Sequence, residues 1–154
     1  MNQTEYPSIL FVTPSSTLFT RTIAPALRHP PPLLGPPVVQ ANQPSWKLSP
    51  PNPSLKITLA GDGVVLSWSI LNKDTLLYEQ IACYQLYAYQ EPSAPPITEM
   101  WHKLGEVKAL ALLMTCTLTQ FTDGSKYNFA VRGVDVKTRV GPFSTPAQII
   151  IPAQ

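Results

Sequence analysis

The side chains of this 154-residue sequence that could act on a chemical bond are few and stand apart. His29 sits beside Pro30 in a proline cluster, and His102 follows Trp101 in a short apolar run. Neither has a second His or a Cys at metal-ligand spacing, and Cys83 and Cys116 are isolated from each other. Gly61-Asp62-Gly63 has too few glycines for a phosphate cradle and follows no parallel-sheet pattern, so it reads as a hairpin turn. There is no nucleophile-elbow motif. With no catalytic or metal-binding constellation, the chain is expected to be non-enzymatic, with no cofactor and no metal.

The residues that remain are those that recognise other molecules, and two very different stretches carry them. Twelve of the 18 prolines fall in residues 1–53. Each proline fixes φ and removes a backbone donor, so neither a helix nor a central strand survives at that density. Residues 1–49 are therefore expected to form an extended, polyproline-like lead that is disordered alone, and residues 50–152 a single domain. Residues 54–154 hold eight Lys/Arg and eight Asp/Glu, so the formal net charge of +2 comes entirely from the lead. A neutral domain lacks the basic footprint that phosphate binding requires, and direct nucleic-acid binding is not expected. No stretch approaches the length of a membrane span, and the apolar run Ile9 to Val12, flanked by Pro7 and Pro14, makes a poor secretory signal.

From residue 54 onward the apolar period is two. Val64, Leu66, Trp68 and Ile70 alternate with Val65, Ser67 and Ser69, and Ala82, Tyr84, Leu86 and Ala88 with Cys83, Gln85, Tyr87 and Tyr89. Leu112, Met114, Cys116 and Leu118 form a third set against Thr115, Thr117 and Thr119; Tyr127, Phe129 and Val131 form a fourth. Shorter strands are expected at Leu55 to Leu59, Trp101 to Val107 and Ala147 to Ile151. Turn signals separate them at Gly61-Asp62-Gly63, Asn72-Lys73-Asp74, Pro92 to Pro96, Asp123-Gly124-Ser125 and Gly141-Pro142. Seven short strands with no amphipathic helix predict an all-β fold, a seven-stranded antiparallel sandwich. In Leu118 to Val131 a Leu closes one strand, Gly124 makes the corner and Tyr127 opens the next. This is a tyrosine corner, and the chain resembles a fibronectin type III (immunoglobulin-like) domain.

Strand parity then orients the candidate chemistry. Cys116 shares the inward face of Met114, whereas Cys83 shares the outward face of Gln85 and Tyr87, so the two thiols are expected to be unpaired and the compartment reducing. Outward-facing Tyr87 and Tyr89, with Ala130 and Arg132 on a strand expected beside them and Trp101 across the Pro92 to Pro96 loop, form a candidate partner-binding patch with a cationic rim. Arg28-His29-Pro30-Pro31-Pro32 resembles ligands of proline-reading domains, but the Arg-x-x-Pro-x-x-Pro spacing fails at Leu34, and a linker is the favoured reading. Ile9 to Val12 is a weak candidate for strand addition to a partner's sheet, and Asn2-Gln3-Thr4 a glycosylation triplet that would matter only in a secreted chain.

Four stretches are more specific: Ile70-Leu71; Tyr84-Gln85-Leu86-Tyr87-Ala88-Tyr89-Gln90-Glu91; Trp101 to Leu110; and Met114-Thr115-Cys116-Thr117-Leu118-Thr119-Gln120-Phe121. They resemble the C-terminal fibronectin domain of the activating transcription factor 7-interacting protein family, over about residues 50 to 152. The resemblance implies a nuclear chromatin adaptor in transcriptional regulation and heterochromatin silencing, a corepressor whose fibronectin module docks a methyl-CpG-binding repressor protein. It further implies recruitment of a histone lysine methyltransferase complex through an upstream region, of which this chain has no recognisable counterpart. The competing expectation is a fibronectin module for adhesion or scaffolding outside the nucleus, which would bring a signal peptide, tandem repeats or an Arg-Gly-Asp loop; the loop Val136 to Val140 has no such triplet.

Overall fold

Period-two patterning becomes seven strands in the computed structural model, which describes residues 28–37, 39–61, 63–71 and 74–153. In chain order these are β1 (Ser54–Ala60), β2 (Gly63–Ser69), β3 (Ile81–Gln90), β4 (His102–Lys108), β5 (Met114–Leu118), β6 (Lys126–Asp135) and β7 (Ala147–Ile150). One sheet has the order β1-β2-β5 and the other β4-β3-β6-β7, with every named pair antiparallel. Among the described residues the remaining regular element is a single 3₁₀ turn, Thr98–Met100.

The two sheets bury their inner faces on one another. Val64, Leu66 and Trp68 from β2 meet Tyr84 and Leu86 from β3 and Tyr127, Phe129 and Val131 from β6. Trp68 stands edge-on to Tyr84 at 5.4 Å between ring centroids, an arrangement favoured by the ring quadrupoles. Leu112 packs on this core from the bend before β5, whose pairing begins at Met114. β6 runs further than its apolar pattern, through Gly133 and Val134 to Asp135.

Corners follow from local chemistry. Gly61 takes a φ of +61° between β1 and β2, a conformation that glycine adopts without a Cβ penalty. The Thr122 N–H donates to the Tyr127 hydroxyl oxygen at 2.9 Å, which closes the tyrosine corner over Gly124. Gly141 is needed for space: a Cβ there would lie 2.1 Å from the Pro50 carbonyl oxygen. Asp62, Asn72 and Lys73 of the expected turns lie outside the described residues, as do Asn2 to Thr4 and Ile9 to Val12.

Of the proline-rich lead expected over residues 1–49, residues 28–37 and 39–49 are described. Residues 29–33 pack on the outer face of the four-stranded sheet, and residues 40–48 on the connections beside it. Gln40 pairs with the backbone of Val140 in both directions, its amide nitrogen donating at 3.1 Å and its oxygen accepting at 2.8 Å. Further on, Arg139 donates to Asn42 Oδ1 at 3.2 Å and to the Lys47 carbonyl at 2.6 Å. Leu48 forms a parallel bridge with Tyr78. Prolines remove regular secondary structure, but they leave side chains and carbonyls free for tertiary contacts, and these are the groups the sandwich uses.

Candidate protein-interaction site

Antiparallel pairing of β3 with β6 places Gln85 opposite Arg132, Tyr87 opposite Ala130 and Tyr89 opposite Asn128. β4 pairs on the other side of β3 and brings Trp101, the residue before it, to the same outer face. Tyr87, Tyr89, Trp101 and Ala130 form one apolar cluster, separate from the inter-sheet core. The structure thus brings together all five residues of the sequence-derived patch.

Their exposure differs from the expectation. Tyr87, Tyr89, Trp101 and Arg132 are only 7%, 0%, 4% and 9% exposed; the proline lead packs on Tyr89 and Trp101, and Phe143 packs on Tyr87 and Arg132. The Trp101 indole N–H donates to the Pro31 carbonyl at 3.0 Å, and the Thr98 hydroxyl donates to the Pro32 carbonyl at 2.7 Å. His29 Nδ1 and the Tyr89 hydroxyl share a hydrogen bond of 2.6 Å. Leu33 packs into the same cluster, with Met100 and Phe143. Burial pushes the Tyr89 phenol above its ordinary range, and the Glu91 carboxylate adds to the shift. Seven consecutive residues of β6, Tyr127 to Gly133, are buried although the strand alternates in sequence, Tyr127, Phe129 and Val131 in the inter-sheet core and Ala130 in the outer cluster.

Arg132 is the cation of this face, and it is enclosed where a rim was expected. Its guanidinium carbon lies 4.6 Å from the Phe143 ring centroid and 5.4 Å from that of Tyr87. Arg132 Nε donates to Gln85 Oε1 at 2.8 Å and Nη2 to the Tyr87 hydroxyl at 3.3 Å. Phe143 meets Tyr87 edge-on at 5.0 Å. Among the described residues, ion pairs link Lys103 with Glu106 and Arg139 with Asp135, and none involves Arg132.

Sequence reasoning missed Phe143, Met100, Thr98 and the covering residues His29, Pro31 and Leu33 as members of this site. A signal existed: Arg28 to Pro32 resembles a proline-reader's ligand, and the same chain carries an aromatic face of the kind such readers use.

The other groups capable of chemistry are dispersed. Cys83 and Cys116 are free thiols, and burial pushes both above the ordinary thiol range, with Glu106 adding to the effect at Cys83. Lys103 and Gln85 hydrogen-bond the exposed Glu106 carboxylate and hold it below the usual carboxylate range. A separate cleft of about 720 Å³ opens at one end of the sandwich between Lys47, Ile70, Tyr78, Tyr84 and Leu112. Among the described residues no group of three or more His, Cys, Asp and Glu is placed to hold a metal ion, and no helix is long and apolar enough to cross a membrane.

Comparison with known proteins places this geometry. The family described as Fibronectin-III type domain matches residues 48–148. The chain is 48% identical over 99 residues to activating transcription factor 7-interacting protein 1 of Homo sapiens, a match covering 63% of this chain and 8% of that protein. It is 34% identical over 123 residues to activating transcription factor 7-interacting protein 2 of Homo sapiens, covering 77% and 18%. The chain thus spans a small part of the length of these relatives. Among solved structures, the FN1-FN3 domains of chicken CNTN1 are similar with a TM-score of 0.50 at 14% identity, over 69% of this chain and 32% of that one, a likeness of fold.

Proposed function

The chain belongs to the fibronectin-III type domain family, and from that premise we propose that it is a non-enzymatic protein-interaction module of a nuclear chromatin adaptor. In this reading it acts in transcriptional regulation and heterochromatin silencing by docking a methyl-CpG-binding repressor protein. The observation that carries the reading is the 48% identity, across the domain, to a relative named for interacting with a transcription factor. Nuclear localisation is proposed on the same ground. The balance of charge in residues 54–154 supports a protein partner over phosphate.

The proposed docking residues are Tyr87, Tyr89, Trp101, Ala130 and Arg132, joined by Phe143. Their convergence on one sheet face supports the assignment, as does their type, because Tyr, Trp and Arg supply large contact area at low entropic cost. A face built on paired strands changes its backbone little on binding, and a contact of modest area gives a transient, micromolar complex. Contact with a histone lysine methyltransferase complex is assigned to sequence outside this domain.

Calorimetric titration of the purified chain with a purified methyl-CpG-binding repressor protein tests the reading. A saturable micromolar isotherm is expected, weakened at least about tenfold by Tyr87→Ala with Trp101→Ala. Absence of binding, or unchanged affinity in a double variant that still unfolds cooperatively, refutes it.

A further inference from the structure

We infer that the outer face of β3 and β6 is a polyproline-reading groove, that residues 29–33 are its resident ligand in cis, and that a partner enters by exchanging its own proline-rich segment for them. The inference rests on the reading of this face as the docking site and names the chemistry it recognises.

The occupant itself reveals the recognition chemistry. Proline-rich segments are bound by aromatic grooves in which a Trp or Tyr donates to carbonyls along a chain already stiffened by its rings. Here the Trp101 indole N–H takes the Pro31 carbonyl and the Thr98 hydroxyl takes the Pro32 carbonyl, two successive residues of the run. Tyr89 packs against Trp101 at 5.6 Å and against the His29 ring at 5.8 Å, so the run begins on an aromatic step. Pro31 is buried, and Leu33 fills the apolar space beside Met100 and Phe143. Among the described residues, the hydrogen bonds that hold this segment come from the side chains of Tyr89, Thr98 and Trp101, with no strand ladder to the sheet. A ligand held in this way is read by its carbonyls and ring faces, which any segment of the form His-Pro-Pro-Pro-Leu presents.

The lead is also built to exchange. It is tied again at Gln40 and Asn42, so residues 29–33 can leave the groove while the next anchor stays in place. A short tether keeps the cis ligand at a millimolar effective concentration. An incoming segment therefore binds with an apparent Kd raised by the reciprocal of the open fraction.

The test uses the full chain and a fluorescent ten-residue peptide with the sequence of residues 28–37, followed by anisotropy. The wild-type chain is expected to bind it weakly. Pro31→Gly with Leu33→Ser, made only in the lead, loosens the cover and is expected to tighten peptide binding at least about tenfold. Leu33→Ala alone shifts affinity in the same direction by less. In the loosened chain Trp101→Phe, which keeps a ring and removes the donor, weakens the peptide about fivefold. A peptide with its prolines replaced by alanine fails to bind. If the loosened chain unfolds cooperatively near the wild-type temperature and binds the peptide no better, the lead is a permanent cover and the inference is overturned. Loss of folding in Leu33→Ala overturns it as well. Repressor titration of the loosened chain separates the two readings: peptide exchange without repressor binding overturns the partner and leaves the groove. Repressor binding indifferent to the lead and to excess peptide leaves the partner and overturns the groove.

Discussion

Arg139→Ala should be among the most damaging single substitutions in the domain, and the structure sets its size. The Asp135 side chain is fully buried and that of Arg139 is 6% exposed, with Nε and Oδ2 3.0 Å apart. The carboxylate also accepts the backbone N–H groups of Lys137 and Arg139, each at 2.9 Å, and the guanidinium holds Asn42 and the Lys47 carbonyl. It also lies over the Trp46 ring at 5.3 Å. Truncation leaves the carboxylate buried with two N–H donors and no countercharge, at a cost of about 3–5 kcal/mol. A domain of this size has about 5–15 kcal/mol in total and loses about 4–8 °C of Tm per kcal/mol. Scanning calorimetry should therefore record a fall of at least about 12 °C. Arg139→Lys keeps the charge but lacks the planar fork that reaches three acceptors at once, and should fall between the two. A Tm within about 3 °C of wild type for Arg139→Ala would refute the assignment of stability to this pair. Equal damage from Lys and Ala would shift it from charge to fork geometry.

Three further outcomes follow from the geometry. Gly141→Ala forces a Cβ to 2.1 Å from the Pro50 carbonyl; urea denaturation should report a loss of about 3 kcal/mol or more, or no folded protein at all. Tyr127→Phe removes the acceptor of the Thr122 N–H and should cost about 0.5–1.5 kcal/mol in the same assay. Because burial raises both thiols above their ordinary range, less thiolate is present at a given pH. A disulfide reagent at pH 8 should modify Cys83 and Cys116 more slowly than free cysteine, with the difference vanishing in denaturant, and non-reducing peptide mapping should find no bridge between them.

The sandwich was legible because its signals are local. Alternation in β2 and β3 separates Trp68 and Tyr84 from Ser67 and Gln85 without knowledge of any partner strand. The spacing Gly124 to Tyr127 needs only its own loop to become a tyrosine corner. The convergence of Tyr87, Tyr89 and Arg132 on one face was legible for the same reason: parity puts them on the same side of their strands, and register does the rest. Its cover was not, since the contact between Pro31 and Trp101 spans 70 positions and has no periodic trace. Nor was the burial of Asp135 and Arg139 visible, because an i,i+4 charge pair at the end of a strand reads as solvated until a lead containing Trp46 is placed over it.

The prolines that conceal the cover also explain how it persists without being permanent. Fixing an ordinary residue costs about 1–2 kcal/mol of backbone entropy, and a residue whose φ is already set by its ring loses less. Three of the five residues in 29–33 are proline, so most of that ordering cost is met before the segment reaches the sheet. What they gain is modest: two carbonyl hydrogen bonds, one ring hydrogen bond and the side chain of Leu33. At about 0.5–1.5 kcal/mol for each hydrogen bond the balance is favourable by little, whereas the aromatic face, if bare, would be an apolar patch of the kind that promotes association. A cover that is stiff in advance and weakly held shields such a face from water, and a second stiff segment with the same carbonyl spacing meets the same balance.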